Sequence, residues 1–143
     1  MAASRTVPGR AALPLFNFIL GLPGDPTILM RRALSKSIGP VEFSIAAASV
    51  IMGWDVEWFE PEPGGRDQNF YRDIEMVSKG DVAICLFPEA DMMGGGTGHV
   101  VEKAQDRGMP VYAYWVEDED PRVWHRIGEW DPTDAWASVV PVG

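Results

Sequence analysis

Residues 91–102, Asp-Met-Met-Gly-Gly-Gly-Thr-Gly-His-Val-Val-Glu, gather the residue types that could do chemistry in this chain. Missing side chains let a backbone approach a ligand closely, and the free N–H groups of a helix start favour an anionic or polar group. Gly95, Gly96, Thr97, Gly98 and His99 are therefore candidate ligand contacts, with a simple flexible turn as the competing explanation. A helix beginning near Gly98 puts Glu102 in its first turn, with Val100, Val101 and Ala104 as apolar contacts and the carboxylate facing a cleft. The plainer alternative is an acidic residue stabilised by the positive helix end. A second glycine-containing loop, from Gly21 to Asp25, offers Gly21 and Gly24 as weaker candidate contacts and is read first as a structural turn. Neither loop is followed by Gly-Lys-Ser/Thr, and neither fits the dinucleotide glycine pattern.

The elements that must position these residues follow from periodicity. Residues 15–20 form a short apolar run read as a buried strand, and Asp25-Pro26 is read as the cap and first position of a helix from Thr27 carrying Ile28, Leu29, Ala33 and Leu34. A second, alanine-rich helix follows Pro40; its nearly uncharged body, residues 43–52, is expected to be buried on most sides and to end at Gly53 ahead of a strand over residues 55–59. Asp67 is a candidate cap for a helix whose stripe of Phe70, Ile74 and Val77 faces a core and which stops at Gly80. Residues 82–87 read as a central parallel strand covered on both faces, and residues 109–116 as another after a helix reaching about Arg107. A short helix over residues 122–127 follows the acidic run at residues 117–120, which reads as a solvated loop. Residues 1–12 have no periodicity and are expected to be a loose, flexible N-terminal segment, leaving residues 13–143 as the domain. Alternating strands and helices of these lengths predict an α/β fold, a flavodoxin-like or Rossmann-like parallel sheet flanked by helices, with ligands bound beyond the carboxyl ends of the strands.

Composition bounds the rest. The chain has 143 residues, 46% of them hydrophobic, and a net charge of −9, which describes one compact domain able to build its own core. Cys85 is the only cysteine and His99 and His125 the only histidines, so an intramolecular disulfide, a thiolate zinc site and a histidine cage are excluded. A reduced, cytoplasmic compartment is expected. Excess acid with no basic run argues against polymeric nucleic acid as a partner. The longest apolar run, residues 11–22, is broken by Pro14 and Asn17 and too short to span a bilayer, so no membrane partner is expected. Cys85 is read as a small hydrophobe in a strand and Asp81, ahead of that strand, as a turn residue at the wrong end of the sheet.

Arg72-Asp73, then Asp81, the apolar strand, Gly98-His99-Val100-Val101-Glu102 and Gly108-Met109-Pro110-Val111 together resemble the nucleoside 2-deoxyribosyltransferase family. Members carry Gly-Thr-x-x-Glu at this place, an aspartate on the preceding helix, and Gly-x-Pro-Val before the next strand. The run from Gly95 to Glu102 also resembles the Gly-Gly-x-Gly-Thr-x-x-Glu signature of the lysine-decarboxylase-like nucleotide phosphoribohydrolases. His99 replaces the threonine of both signatures, and Gly96 stands where the transferases usually have an aspartate, leaving Asp73 or Asp91 for that role; Arg72 is a weak candidate for the arginine of the phosphoribohydrolases.

The resemblance implies a small-molecule nucleoside or nucleotide partner and cleavage or 2-deoxyribosyl exchange of an N-glycosidic bond. Such a bond breaks through an oxocarbenium-like state that a carboxylate stabilises or traps as an ester while an acid protonates the departing base. Glu102 takes the first role; Asp73, or less readily Asp91, donates the proton or orients the sugar hydroxyls. No metal or cofactor is called for, and a homo-oligomer is implied, since the resembled transferases complete their sites across subunits. The rival readings are a nucleotide-binding module without turnover, and an interaction protein using the tryptophan-rich segment of Trp124, Trp130 and Trp136.

Overall fold

The computed structural model describes residues 1–4, 6–32, 38–88, 95–116 and 124–127, the last three as backbone alone. Three parallel strands define the centre: β1 (Ala2–Ala3), β4 (Ala83–Phe87) and β5 (Val111–Trp115), with Ala2 opposite Cys85 and Cys85 opposite Ala113. A second parallel pair joins β2 (Thr27–Arg31) to β3 (Asp55–Phe59). The ladders form two sheets, β1-β4-β5 closed by the antiparallel β6 (His125–Ile127) and the pair β2-β3, and Met1 N, donating to Leu29 O at 2.7 Å, sets β2 beside β1 in the spatial order β3-β2-β1-β4-β5.

Helices α1 (Ala12–Gly21) and α2 (Pro40–Met52) pack on one another, as do α3 (Asp67–Ser78) and α4 (Gly95–Asp106). Alternation along β4 separates the two cores. Ile84 and Leu86 join Leu15, Phe18, Ile45 and Trp124 on the α1/α2 side, whereas Ala83, Cys85 and Phe87 join Met76, Val77, Val100 and Ala104 on the α3/α4 side. Helices on both faces of a parallel sheet make this a Rossmann-like, doubly wound α/β fold, whose crevice lies where the connections diverge, between β1 and β4.

Several local expectations are corrected. Residues 15–20 are helical: Leu15, Phe18 and Ile19 face the sheet at helical spacing while Leu13, Asn17 and Leu20 are exposed, and Pro14 is tolerated in the first turn. Thr27–Arg31 is a strand, with Ile28 and Met30 buried on alternate positions; residues 33–37 of the expected helix lie outside the described residues. Residues 1–12 are not outside the fold, because Ala2 and Ala3 are buried in the sheet and Gly9–Ala11 forms a short 3₁₀ turn. On α2 a single face is buried, through Val41, Glu42, Ile45 and Ser49, while Phe43, Val50 and Ile51 are exposed. On α3 the buried face is Arg72, Asp73, Met76 and Val77, and Phe70 and Ile74 are largely exposed. Asp67 is the first residue of α3 and makes no capping bond. His125–Ile127 is a strand, not a helix, and residues 117–123 lie outside the described part.

Candidate functional site

A cleft of about 840 Å³ opens at the carboxyl ends of β1 and β2, between the amino-terminal turns of α2 and α4 and the side of α3. Its wall at α4 is Gly95, Gly96, Thr97, Gly98 and His99, with Glu102 one turn further on. The helix starts at Gly95 rather than near Gly98, so Glu102 lies in its second turn; the side chain is 66% exposed, at the rim, with Lys103 Nζ 3.9 Å away. A Cβ at Gly96 would stand 3.2 Å from Arg31 Nη1, so the guanidinium would have to shift by a few tenths of an ångström to admit it.

Arg31, on the last residue of β2, crosses the floor of the cleft. Its Nη2 donates to Thr97 Oγ1 at 2.6 Å and to Ala3 O at 3.0 Å, and Ser4 Oγ donates to the same threonine hydroxyl at 3.3 Å. Thr97 is thus buried and committed to anchoring Arg31. Burial lowers the Arg31 guanidinium from its usual range, against the opposing pull of Asp73 and Glu42. Among the described residues neither Arg31 nor Arg66, which also lines the cleft, forms an ion pair. Arg32 is held over the Trp58 ring at 4.2 Å and lies 3.6 Å from Glu60. Glu42 closes the start of α2, accepting from Gly39 N at 3.0 Å, and burial pushes its carboxyl above the usual range.

Asp73 is 1% exposed and serves two partners. Its Oδ1 accepts from Arg72 Nε at 3.0 Å, and its Oδ2 lies 3.4 Å from His99 Nδ1. Arg72 Nη1 reaches back to Arg32 O at 3.1 Å, tying α3 to the end of β2. The Phe70 ring packs on the His99 imidazole with centroids 4.5 Å apart. A buried carboxylate on Nδ1 fixes the ring and its tautomer, leaving Nε2 for a ligand.

The structure therefore brings Glu102, Asp73, Gly95, Gly96, Thr97, Gly98 and His99 to one cleft. It does not bring Gly21 and Gly24 there: with α1 before them and β2 after them, they lie at the opposite, amino-terminal end of the strands. Asp91 lies outside the described residues. Sequence reasoning missed Arg31, Arg32, Arg66 and Asn69; the adjacent arginines follow the last apolar residue of β2, a signal visible only once that segment is read as a strand. Among the described residues no group of three or more His, Cys, Asp or Glu side chains is arranged to hold a metal ion. No helix among them is long and apolar enough to cross a membrane.

Fold and cleft define a class, a doubly wound α/β protein with a polar crevice at its topological switch point. No protein-family model matches the chain, and neither curated proteins nor solved structures yield a match.

Proposed function

We propose that the cleft binds a nucleotide and breaks its N-glycosidic bond. One observation carries this reading: Glu102, the His99–Asp73 pair, the start of α4 and Arg31, which has no ion pair among the described residues, line a single hollow. A guanidinium beside the positive end of a helix, countered only in part by Asp73 and Glu42, gains from an added anion, which supports a phosphate there. The bond from the sugar anomeric carbon to the base nitrogen breaks, and its electron pair leaves with the base. His99, protonated on both ring nitrogens, gives that nitrogen its Nε2 proton; Glu102 stabilises the cationic sugar or traps it as an ester; water then adds to the anomeric carbon, releasing the Glu102 carboxylate where an ester has formed, and its proton returns to His99 Nε2. Asp73, ion-paired with Arg72 and 3.4 Å from His99 Nδ1, acts by holding His99.

The test is base release from a panel of nucleosides and their 5′-phosphates by the full chain and by Glu102→Gln. Loss of turnover by about a thousandfold with affinity retained supports the reading. A second reading, binding without turnover, is favoured by the exposure of Glu102, 66%, on the rim. Tight binding with no base release from any substrate would establish it.

A further inference from the structure

The two faces of the sheet are covered by helices of different character. Helix α1 has no ionisable residue, and the only one on α2, Glu42, is buried. On the other side of the sheet α3 shows Asp67 and Glu75 to solvent, and α4 shows Glu102 and Asp106. The α1/α2 face is apolar instead. Leu13 and Leu20 on α1 are 65% and 46% exposed, and Phe43, Val50, Ile51 and Met52 on α2 are 63%, 81%, 85% and 43% exposed. Because α1 and α2 pack on one another over one core, these side chains share one outer layer. They present on the order of 600 Å² of apolar surface, the upper end for the largest patch of a monomer and most of the roughly 800 Å² that each partner of a standard interface buries.

The order of residues along α2 indicates what fits there. Phe43, Ala47 and Ile51, all exposed, follow one another at four-residue spacing, a ridge with a small residue at its middle and a large one at each end. Two ridges of this kind interdigitate with the helices crossing at about 50° and closest at the crossing point. With a two-fold axis at Ala47 and the helices antiparallel, Phe43 meets Ile51 of the second copy and Ser44 meets its Val50. Ala47 meets Ala47 where the backbones are closest, and the large pairs fill the space where the helices diverge. The antiparallel sense also sets the positive end of each α2 near the negative end of the other. The ridge is thus its own complement, as an isologous contact requires. Charge agrees: two copies of net charge −9 repel, and least across a face that bears no exposed charge. A lipid surface fits less well, because interfacial helices flank the apolar stripe with Lys and Arg, and neither α1 nor α2 has one.

We infer that the α1/α2 face is a homodimer interface, two copies of this chain packed antiparallel through α2 about Ala47. The pairing is independent of the chemistry of the cleft. Sedimentation equilibrium of the full chain is expected to give twice the chain mass, with a dissociation constant on the order of 10 µM. Phe43→Glu and Ile51→Lys, both at exposed sites, should each weaken the dimer about a hundredfold while far-ultraviolet circular dichroism stays unchanged. Their combination should recover the dimer to within about tenfold of the unaltered chain, because the antiparallel register sets each new carboxylate against a new ammonium of the other copy. Under mild oxidation Ala47→Cys should form a disulfide-linked dimer and Glu75→Cys, on α3, should not; Cys85 is buried and takes no part. A chain that stays monomeric up to about 500 µM overturns the inference, and its sedimentation with phosphatidylcholine vesicles would give the face to a lipid surface. So does a dimer that ignores the single charges, one that the double variant fails to recover, or equal linking through Glu75→Cys.

Discussion

Asp73 satisfies a guanidinium and an imidazole at once from a position with almost no access to water. Removing its charge leaves Arg72 buried without a counter-ion, and a broken buried pair typically costs several kcal/mol. Asp73→Asn is therefore expected to lower unfolding free energy by about 3 kcal/mol in urea titration. It should also cut turnover more than Phe70→Leu, which removes only the ring packed on His99. Cys85 gives a pH prediction. Burial raises its thiol to about 11 from an ordinary value of 9.0, so the unfolded chain ionises first as the solution becomes alkaline. Stability from this group is intact below pH 9 and falls as pH rises toward about 11, by about 3 kcal/mol in all. Cys85→Ala should flatten that part of the stability profile, and in the native protein at pH 8 iodoacetamide should leave the thiol unmodified.

The elements that sequence reasoning recovered are those whose signal is local. Residues 82–87, bounded by Asp81 and Pro88, are continuous and apolar as a strand covered on both faces must be, and Ala83–Phe87 is fully buried. Gly53 ends α2 in a left-handed conformation, φ 74°. Gly53→Ala should therefore cost about 1 kcal/mol, readable as a lowered thermal midpoint. The first strand–helix unit was misassigned because both its apolar runs are short. Leu15 to Leu20 has Asn17 as its one polar residue, too little to set a period, and Ile28, Leu29, Ala33 and Leu34 with arginines between them mimic a helical stripe, so only packing against α2 and β3 decides between the two periods. That inversion misplaced Gly21 and Gly24 and hid Arg31. The α4 side of the cleft was legible from glycine spacing. The Asp73–His99 contact was not, since it joins residues on two helices that only the fold brings together. At the start of α4, Gly96→Ala would press a methyl group on Arg31, and ligand affinity should fall about tenfold with thermal stability nearly unchanged.

Across the whole molecule, β4 is the shared wall of two cores. Leu86→Ala should thus cost about 2–5 kcal/mol by urea titration, because neither α1 nor the sheet can collapse into the space left behind. A chain of net charge −9 nonetheless collects Arg31, Arg32, Arg66 and Arg72 around one cleft, where Arg72 is paired with Asp73 and Arg32 lies 3.6 Å from Glu60. The pairing of Ala2 and Ala3 with Cys85 and Leu86 has a consequence for biosynthesis. Ala2 and Ala3 leave the ribosome well before the strand they pair with, and cannot take that neighbour until the middle of the chain has followed them out. Nascent chains arrested before Ala83 should expose α1's apolar face to chaperones, and release from that hold should coincide with emergence of Phe87.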